Sequence, residues 1–242
     1  MSVQSLQVKY AMFRIVICLL VICVSSVHGT ASVTSEKRNV HDGNVCSIWG
    51  DPHFRTFDGY RYNFMGFCSY HALSWCGPKN NGPLVTIDTK NHRQQVGIGN
   101  GGKHTRISSI RMRRRGPATN FVEVFSSCEA EITKNGVTEK FLPEDYPVKF
   151  GPGGNLGELT WVDHVITLKV RLRYTAVFDC KEHRLDIELD PFIRDIAPNN
   201  VCGLCGNYNA NKYDDLPGGK TVEEWATDYK DPESGCGPAP GS

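Results

Sequence analysis

The stretch Cys202 to Asp215, Cys-Gly-Leu-Cys-Gly-Asn-Tyr-Asn-Ala-Asn-Lys-Tyr-Asp-Asp, sets a close cysteine pair directly before a run of oxygen-bearing side chains. Asn207, Asn209 and Asn211 alternate, and Asp214 and Asp215 follow. Alternate residues that turn their oxygens toward one centre suit a hard cation, as in loops that give calcium its roughly six to eight oxygen ligands. The stretch is not an EF-hand, because Lys212 and Gly218 stand where that loop needs a glycine and a bidentate glutamate. The same residue types also make a solvated turn, since Asn and Asp hydrogen-bond their own backbone and tolerate the left-handed region. On this segment alone both readings stand. Zinc would need a second ligand pair beside Cys202 and Cys205, and the chain has no other Cys-x-x-Cys. A redox pair would need a βαβ setting, which the sequence does not offer.

The elements that must position these residues belong to an exported protein. Lys9 and Arg14 precede the apolar run Ile15 to Val24, and small residues lead to Gly29. That is the layout of a signal peptide over residues 1–29. The run is too short to span a membrane, and no later stretch approaches the roughly 20 apolar residues a span needs. Residues 30–45 are polar and aperiodic and read as a flexible leader; residues 237–242 read as a disordered tail. Cys18 and Cys23 leave with the signal peptide. Of the 10 cysteines, Cys46, Cys68, Cys76, Cys128, Cys180, Cys202, Cys205 and Cys236 remain, an even set that reads as a disulfide framework in an oxidising compartment. A net charge of +1 points to no partner by bulk electrostatics. No Asn-x-Ser/Thr acceptor is present.

From Cys46 onward, two-residue alternation broken by Gly, Asn and Pro predicts an all-β fold: a disulfide-stapled β-sandwich of short antiparallel strands with one short C-terminal helix. The clearest strand is Val165 to Tyr174, with Ile166, Leu168, Val170, Leu172 and Tyr174 on one face and Thr167, Lys169, Arg171 and Arg173 on the other. A neighbouring strand after Cys180 turns Leu185, Ile187 and Leu189 inward, and Arg184, Asp186, Glu188 and Asp190 outward. Basic and acidic outer faces would then pair across the sheet at roughly 0.2–1 kcal/mol per pair. Further strands are expected at Tyr60 to Phe64, Cys68 to Leu73, Leu84 to Thr89, Ile107 to Met112, Phe121 to Phe125 and Ala130 to Thr133, the last with a turn at Asn135-Gly136. Thr221 and Glu224 form a capping box ahead of Trp225, which starts the helix.

Cys46-Ser-Ile-Trp-Gly-Asp-Pro-His-Phe-Arg-Thr-Phe-Asp-Gly59, then Gly66-Phe-Cys-Ser-Tyr70, then Cys202-Gly-Leu-Cys-Gly-Asn207 stand in that order. In these motifs the chain resembles a von Willebrand factor type D domain, over residues 46–236. The resemblance implies a calcium site built from both ends of the domain. Asp58 would join Asn207, Asn209, Asn211, Asp214 and Asp215, and a backbone carbonyl near Tyr213 would complete the shell. It also implies the disulfides Cys46–Cys205, Cys68–Cys236, Cys76–Cys202 and Cys128–Cys180. The first would be worth up to roughly 5 kcal/mol in the entropic account of loop closure. With no spare cysteine, covalent multimers are not expected.

The expected activity is that of a non-enzymatic, calcium-binding extracellular module with a structural or protein-binding role in a matrix, mucus or coat. Two alternatives carry chemistry of their own. In Gly50-Asp51-Pro52-His53, an Asp carboxyl attacking its own carbonyl, with His53 as proton donor, would cleave Asp51-Pro52; the bland reading is a turn into the first strand. Arg106, Arg111, Arg113, Arg114 and Arg115 would offer bidentate contacts to a sulfated glycan, another polyanion or an acidic growth factor. Arg111 to Arg114 also fits an Arg-x-Arg-Arg processing pattern. Against both, a charge run most often makes a solvated strand edge. No catalytic triad, phosphate loop or nucleic-acid motif is present.

Overall fold

The computed structural model describes residues 44–77, 85–95, 103–114, 120–171, 174–196, 198–216 and 218–231. The signal peptide, all of the leader before residue 44, Cys236 and the tail lie outside the described residues. Antiparallel pairing follows from alternation. In Val165–Val170, Tyr174–Asp179 and Arg184–Leu189 every second side chain is buried, so one face is driven from water while the other keeps contact with it.

Among the described residues fifteen strands form two sheets. The first sheet is built from β1 (Val45–Trp49), β2 (His53–Arg55), β3 (Arg61–Asn63), β10 (Val148–Phe150), β11 (Gly157–Val162), β12 (Val165–Val170), β13 (Tyr174–Asp179) and β14 (Arg184–Leu189). Its spatial order is β10-β11-β12-β13-β14-β1-β2-β3. The second uses β4 (Ser69–Trp75), β5 (Val85–Gln95), β6 (Lys103–Arg114), β7 (Phe121–Phe125), β8 (Ala130–Lys134), β9 (Val137–Phe141) and β15 (Val201–Cys202), in the order β15-β4-β5-β6-β7-β8-β9. Ile48, Phe54, Ile166, Phe178 and Leu185 of the first sheet share one buried core with Ala72, Ile87, Ile110, Met112 and Val124 of the second. The fold is all-β, as the alternation requires.

Three expectations are corrected in detail. Val165 to Tyr174 is not one strand: β12 ends at Val170 and Tyr174 opens β13, with Val170 and Tyr174 as direct partners. Consequently β12 and β14 are not neighbours. Lys169 faces Thr175, which faces Glu188, so the basic and acidic outer faces do not pair directly. The acidic side chain that Arg184 meets is Asp186 of its own strand, at 2.8 Å. A second short helix, α1 (Pro191–Ile196), precedes the expected one, α2 (Val222–Thr227). In α2 the capping box is in place, with Glu224 N–H donating to Thr221 Oγ1 at 3.2 Å and Thr221 N–H donating to Glu224 at 2.8 Å. Trp225 is buried against Tyr62 and Tyr229.

Among the described residues three disulfides are in place: Cys46–Cys205, Cys76–Cys202 and Cys128–Cys180. They are three of the four pairs implied by the resemblance; in the fourth, Cys68 is buried and Cys236 lies outside the described residues. Cys46 sits on β1 and Cys205 just beyond β15, so that bond ties the two sheets together.

Candidate metal centre

The centre forms where the β2–β3 turn meets the segment that follows β15. Thr56 N–H donates to Tyr60 O at 2.9 Å and Gly59 N–H to Thr56 O at 3.1 Å, which closes a tight turn. Gly59 has φ +89°, a conformation that excludes most side chains. The turn leaves Asp58 at its tip. Phe57 N–H donates to Cys205 O at 3.1 Å, so the turn is stitched to the cysteine pair itself.

The segment after β15 continues along the edge of β4, with Leu204 and Cys205 N–H groups donating to His71 and Ala72 carbonyls at 2.9 Å. Close approach explains its glycines. A Cβ on Gly203 would stand 2.6 Å from Ala72 O, and one on Gly206 would stand 2.2 Å from Asp215 Oδ1. Tyr208 then plugs the loop into the core, with its ring 5.6 Å from that of Phe57.

These contacts gather three carboxylates from the two ends of the domain. Asp58 accepts the backbone N–H groups of Asn209 and Ala210 at 3.0 and 2.9 Å. Asp215, 3 % exposed, accepts Asn207 N–H at 3.0 Å and Thr56 Oγ1–H at 2.6 Å. Asp214 accepts side-chain N–H groups from Asn207, Asn209 and Asn211 at 2.9–3.0 Å. Burial pushes the Asp215 carboxyl up to about 7; the nearby charges of Asp58 and Asp214 add to the rise, which the Thr56 and Asn207 hydrogen bonds oppose. Asp58 is also raised, mainly by burial, whereas the amides around Asp214 hold its carboxyl below the ordinary value.

The residue types gathered here are those that a hard cation takes. Asn207 Oδ1 is buried and accepts no hydrogen bond from any described residue, an arrangement that a water or a cation before it would relieve. Asn209 and Asn211 differ from it. Their side-chain oxygens accept backbone N–H groups, from Asn211 at 2.8 Å and from Tyr213 at 3.3 Å. Among the described residues no cluster of three or more His, Cys, Asp or Glu side chains is arranged as a metal site. The centre mixes carboxylates with an amide oxygen, the chemistry that suits calcium better than zinc.

The other candidate residues are separated by the fold. Arg111 lies over the Phe121 ring and donates twice to Glu123, at 2.9 and 2.7 Å. Arg113 pairs with Asp88 at 2.8 Å and with Asp231 at 3.4 Å. Both acidic partners of Arg113, and Glu123, are buried. Arg106 is exposed; the Arg114 side chain and Arg115 lie outside the described residues. Arg111 and Arg113 therefore serve internal ion pairs. Strand β6 is paired on both sides at Arg111, Met112 and Arg113, with β5 and with β7; Arg115, next after the Arg-x-Arg-Arg pattern, lies outside the described residues. Asp51 and Pro52 occupy the β1–β2 turn, where Gly50 has φ +63° and Pro52 O accepts Phe64 N–H at 3.3 Å. His53 Nδ1 is 2.7 Å from Asn63 Oδ1.

Sequence reasoning passed over Thr56, although it lies in the Thr-Phe-Asp-Gly motif, and over Asp88, Glu123 and Asp231. Their burial depends on strand neighbours distant in sequence.

A two-sheet domain, stapled by disulfides and closing its ends over an oxygen-rich turn, defines a class of disulfide-bonded β modules. The chain belongs to the von Willebrand factor type D domain family, which it matches over residues 46–217. It is similar to the human IgGFc-binding protein, at 30 % identity over 81 % of this chain and 3 % of that protein. It is similar to mouse alpha-tectorin, at 26 % identity over 80 % of this chain and 8 % of that protein, and to human mucin-5B, at 28 % over 70 % and 2 %. The chain thus spans only a small part of the length of these relatives. Among the described residues no helix is long and apolar enough to cross a membrane.

Proposed function

We propose that this domain is a secreted, calcium-binding module with a structural or partner-binding role in an extracellular matrix, mucus or coat. The observation that carries the reading is the meeting of Asp58 with the 207–215 loop beside Cys46–Cys205, with Asn207 Oδ1 buried and unpartnered. Asp58, Asp214, Asp215 and Asn207 would hold the ion, with the Asn209, Asn211 and Tyr213 stretch closing the shell. A bound divalent ion would supply the positive charge that three neighbouring carboxylates lack. Asp58 and Asp215 then fix the two chain ends, the Asn207 amide contributes a neutral oxygen, and Tyr208 keeps the loop seated. Nothing in this role calls for a catalytic group.

Extracellular modules bind calcium at about 0.1–1 mM, so such a site would stay largely filled outside the cell and act as a structural clasp. The relatives include a mucin by name, which agrees with a partner in a secreted layer. Calorimetric titration of calcium into the chelated, non-reduced protein tests the reading. One ion per chain in that affinity range is expected, with magnesium a poor substitute because it resists dehydration. Absence of a saturable calcium isotherm would remove the proposal.

A further inference from the structure

We propose that Thr56 is the positioning residue of this centre: its hydroxyl fixes the Asp215 carboxylate in the orientation that receives calcium, without touching the ion. The inference rests on the calcium reading above. Thr56 is 0 % exposed, and its Oγ1 lies 2.6 Å from Asp215 Oδ2 across 159 residues of sequence. The same oxygen accepts Tyr60 N–H at 2.9 Å. A hydroxyl that receives one hydrogen bond still has its own proton to donate. The alternative acceptor, Tyr60 O, is farther away at 3.4 Å, so the proton belongs to Asp215.

The other Asp215 oxygen is held as well, by Asn207 N–H at 3.0 Å, and Gly206 lies so close that a Cβ there would overlap it. Each oxygen of the carboxylate therefore has one fixed donor and a remaining lone pair for the centre. Thr56 itself is immobilised by the turn that carries Asp58. One turn thus supplies a carboxylate from the front of the domain and aims a second from the back, so the two are set together. Partners of this kind, one shell removed from an ion, typically change metal affinity about 10- to 100-fold.

The test is calorimetric titration of calcium chloride into the chelated, non-reduced protein and its Thr56→Val, Thr56→Ala and Thr56→Ser variants, with thermal unfolding of each calcium-free form. Val keeps the shape and removes the hydroxyl; Ala removes it without a buried methyl contact; Ser retains it. Thr56→Val is expected to bind calcium about 10- to 100-fold more weakly, Thr56→Ala likewise, and Thr56→Ser close to the unsubstituted protein. A merely structural role would lower calcium-free stability and leave the affinity of the folded protein unchanged. Wild-type affinity in Thr56→Val, or in Thr56→Ala should the valine variant not be secreted, overturns the inference. So does a Thr56→Ser variant as weak as Thr56→Val. No binding by the unsubstituted protein overturns the calcium reading itself, an outcome distinct from unequal binding among the variants.

Discussion

Asp58 accepts the backbone N–H of Asn209 at 3.0 Å, a contact that spans 151 residues and joins the β2–β3 turn to the loop after β15. Its other oxygen takes the N–H of Ala210 at 2.9 Å. The carboxylate thus organises the loop even before any cation is considered. Asp58→Ala should lower the stability of the calcium-free domain by about 1–3 kcal/mol, the range for losing hydrogen bonds to a charged acceptor. Denaturant titration in a chelator would read this directly, and an unchanged midpoint would show that the loop holds its shape without Asp58.

Burial raises Asp215 to about 7 in the calcium-free domain, and the groups facing it are the Thr56 hydroxyl, Asn207 N–H and the carboxylates of Asp58 and Asp214. Unfolded, the same carboxyl titrates near ~3.9. Between the two values the folded state holds the extra proton. Stability without calcium is therefore expected to fall as pH rises from about 4 to about 7, and to level off above. Asp215→Asn should flatten that slope. Unfolding at stepped pH in a chelator checks the sign; a stability that climbs through this window would contradict it.

Glycine positions separate crowding from backbone strain. Gly59 and Gly203 both have positive φ, but a Cβ on Gly59 meets nothing within 4 Å while one on Gly203 meets Ala72 O at 2.6 Å. Gly59→Ala should cost about 1–2 kcal/mol from the left-handed conformation alone. Gly203→Ala should cost distinctly more, because backbone must shift. Urea midpoints of the two variants, compared with each other, decide whether the close approach at Gly203 is as tight as described.

Much of this architecture is written in local pattern, and its gaps have physical causes. Strand Phe121–Phe125, the Asn135-Gly136 turn with both residues at positive φ, and the Thr221 capping box are set by neighbours in sequence and were legible. The hairpin inside 165–174 was not. Directly opposed residues of an antiparallel pair share a face, so apolar Val170 and Tyr174 continue the period-two pattern across the turn as though the strand had not reversed. The residues between them include no Gly or Pro to mark it. In β6 a bulge opposite Lys90 and Asn91 shifts the inward parity, which places Ser109, Arg111 and Arg113 together on the face that carries Glu123 and Asp88. Arginines that read as a candidate polyanion site therefore meet Glu123, Asp88 and Asp231, acids contributed by β7, β5 and the segment after α2. For the centre, oxygen-bearing residue types were visible in the chain. That Thr56 would meet Asp215 was not, because only the folded topology brings them together.

The internal ion pairs make a prediction of their own. Arg113→Ala removes the guanidinium from buried Asp88, which keeps His71 Nδ1 at 2.5 Å, and should cost about 1–3 kcal/mol. Arg106→Ala, at an exposed position, should change stability by no more than about 0.5 kcal/mol. Chemical denaturation of both variants distinguishes structural arginines from a free binding face; equal small effects would return Arg113 to the surface.

The central claim is that one calcium ion clasps the two ends of the domain, and thermal unfolding of the non-reduced protein in calcium and in chelator tests it most directly. With a site near ~0.1 mM and calcium at about 10 mM, linkage supplies about 2.7 kcal/mol. For a domain of this size that raises the midpoint by about 5–10 °C, and the rise should vanish in Asp58→Ala. Identical midpoints for the unsubstituted protein in calcium and in chelator would contradict the account.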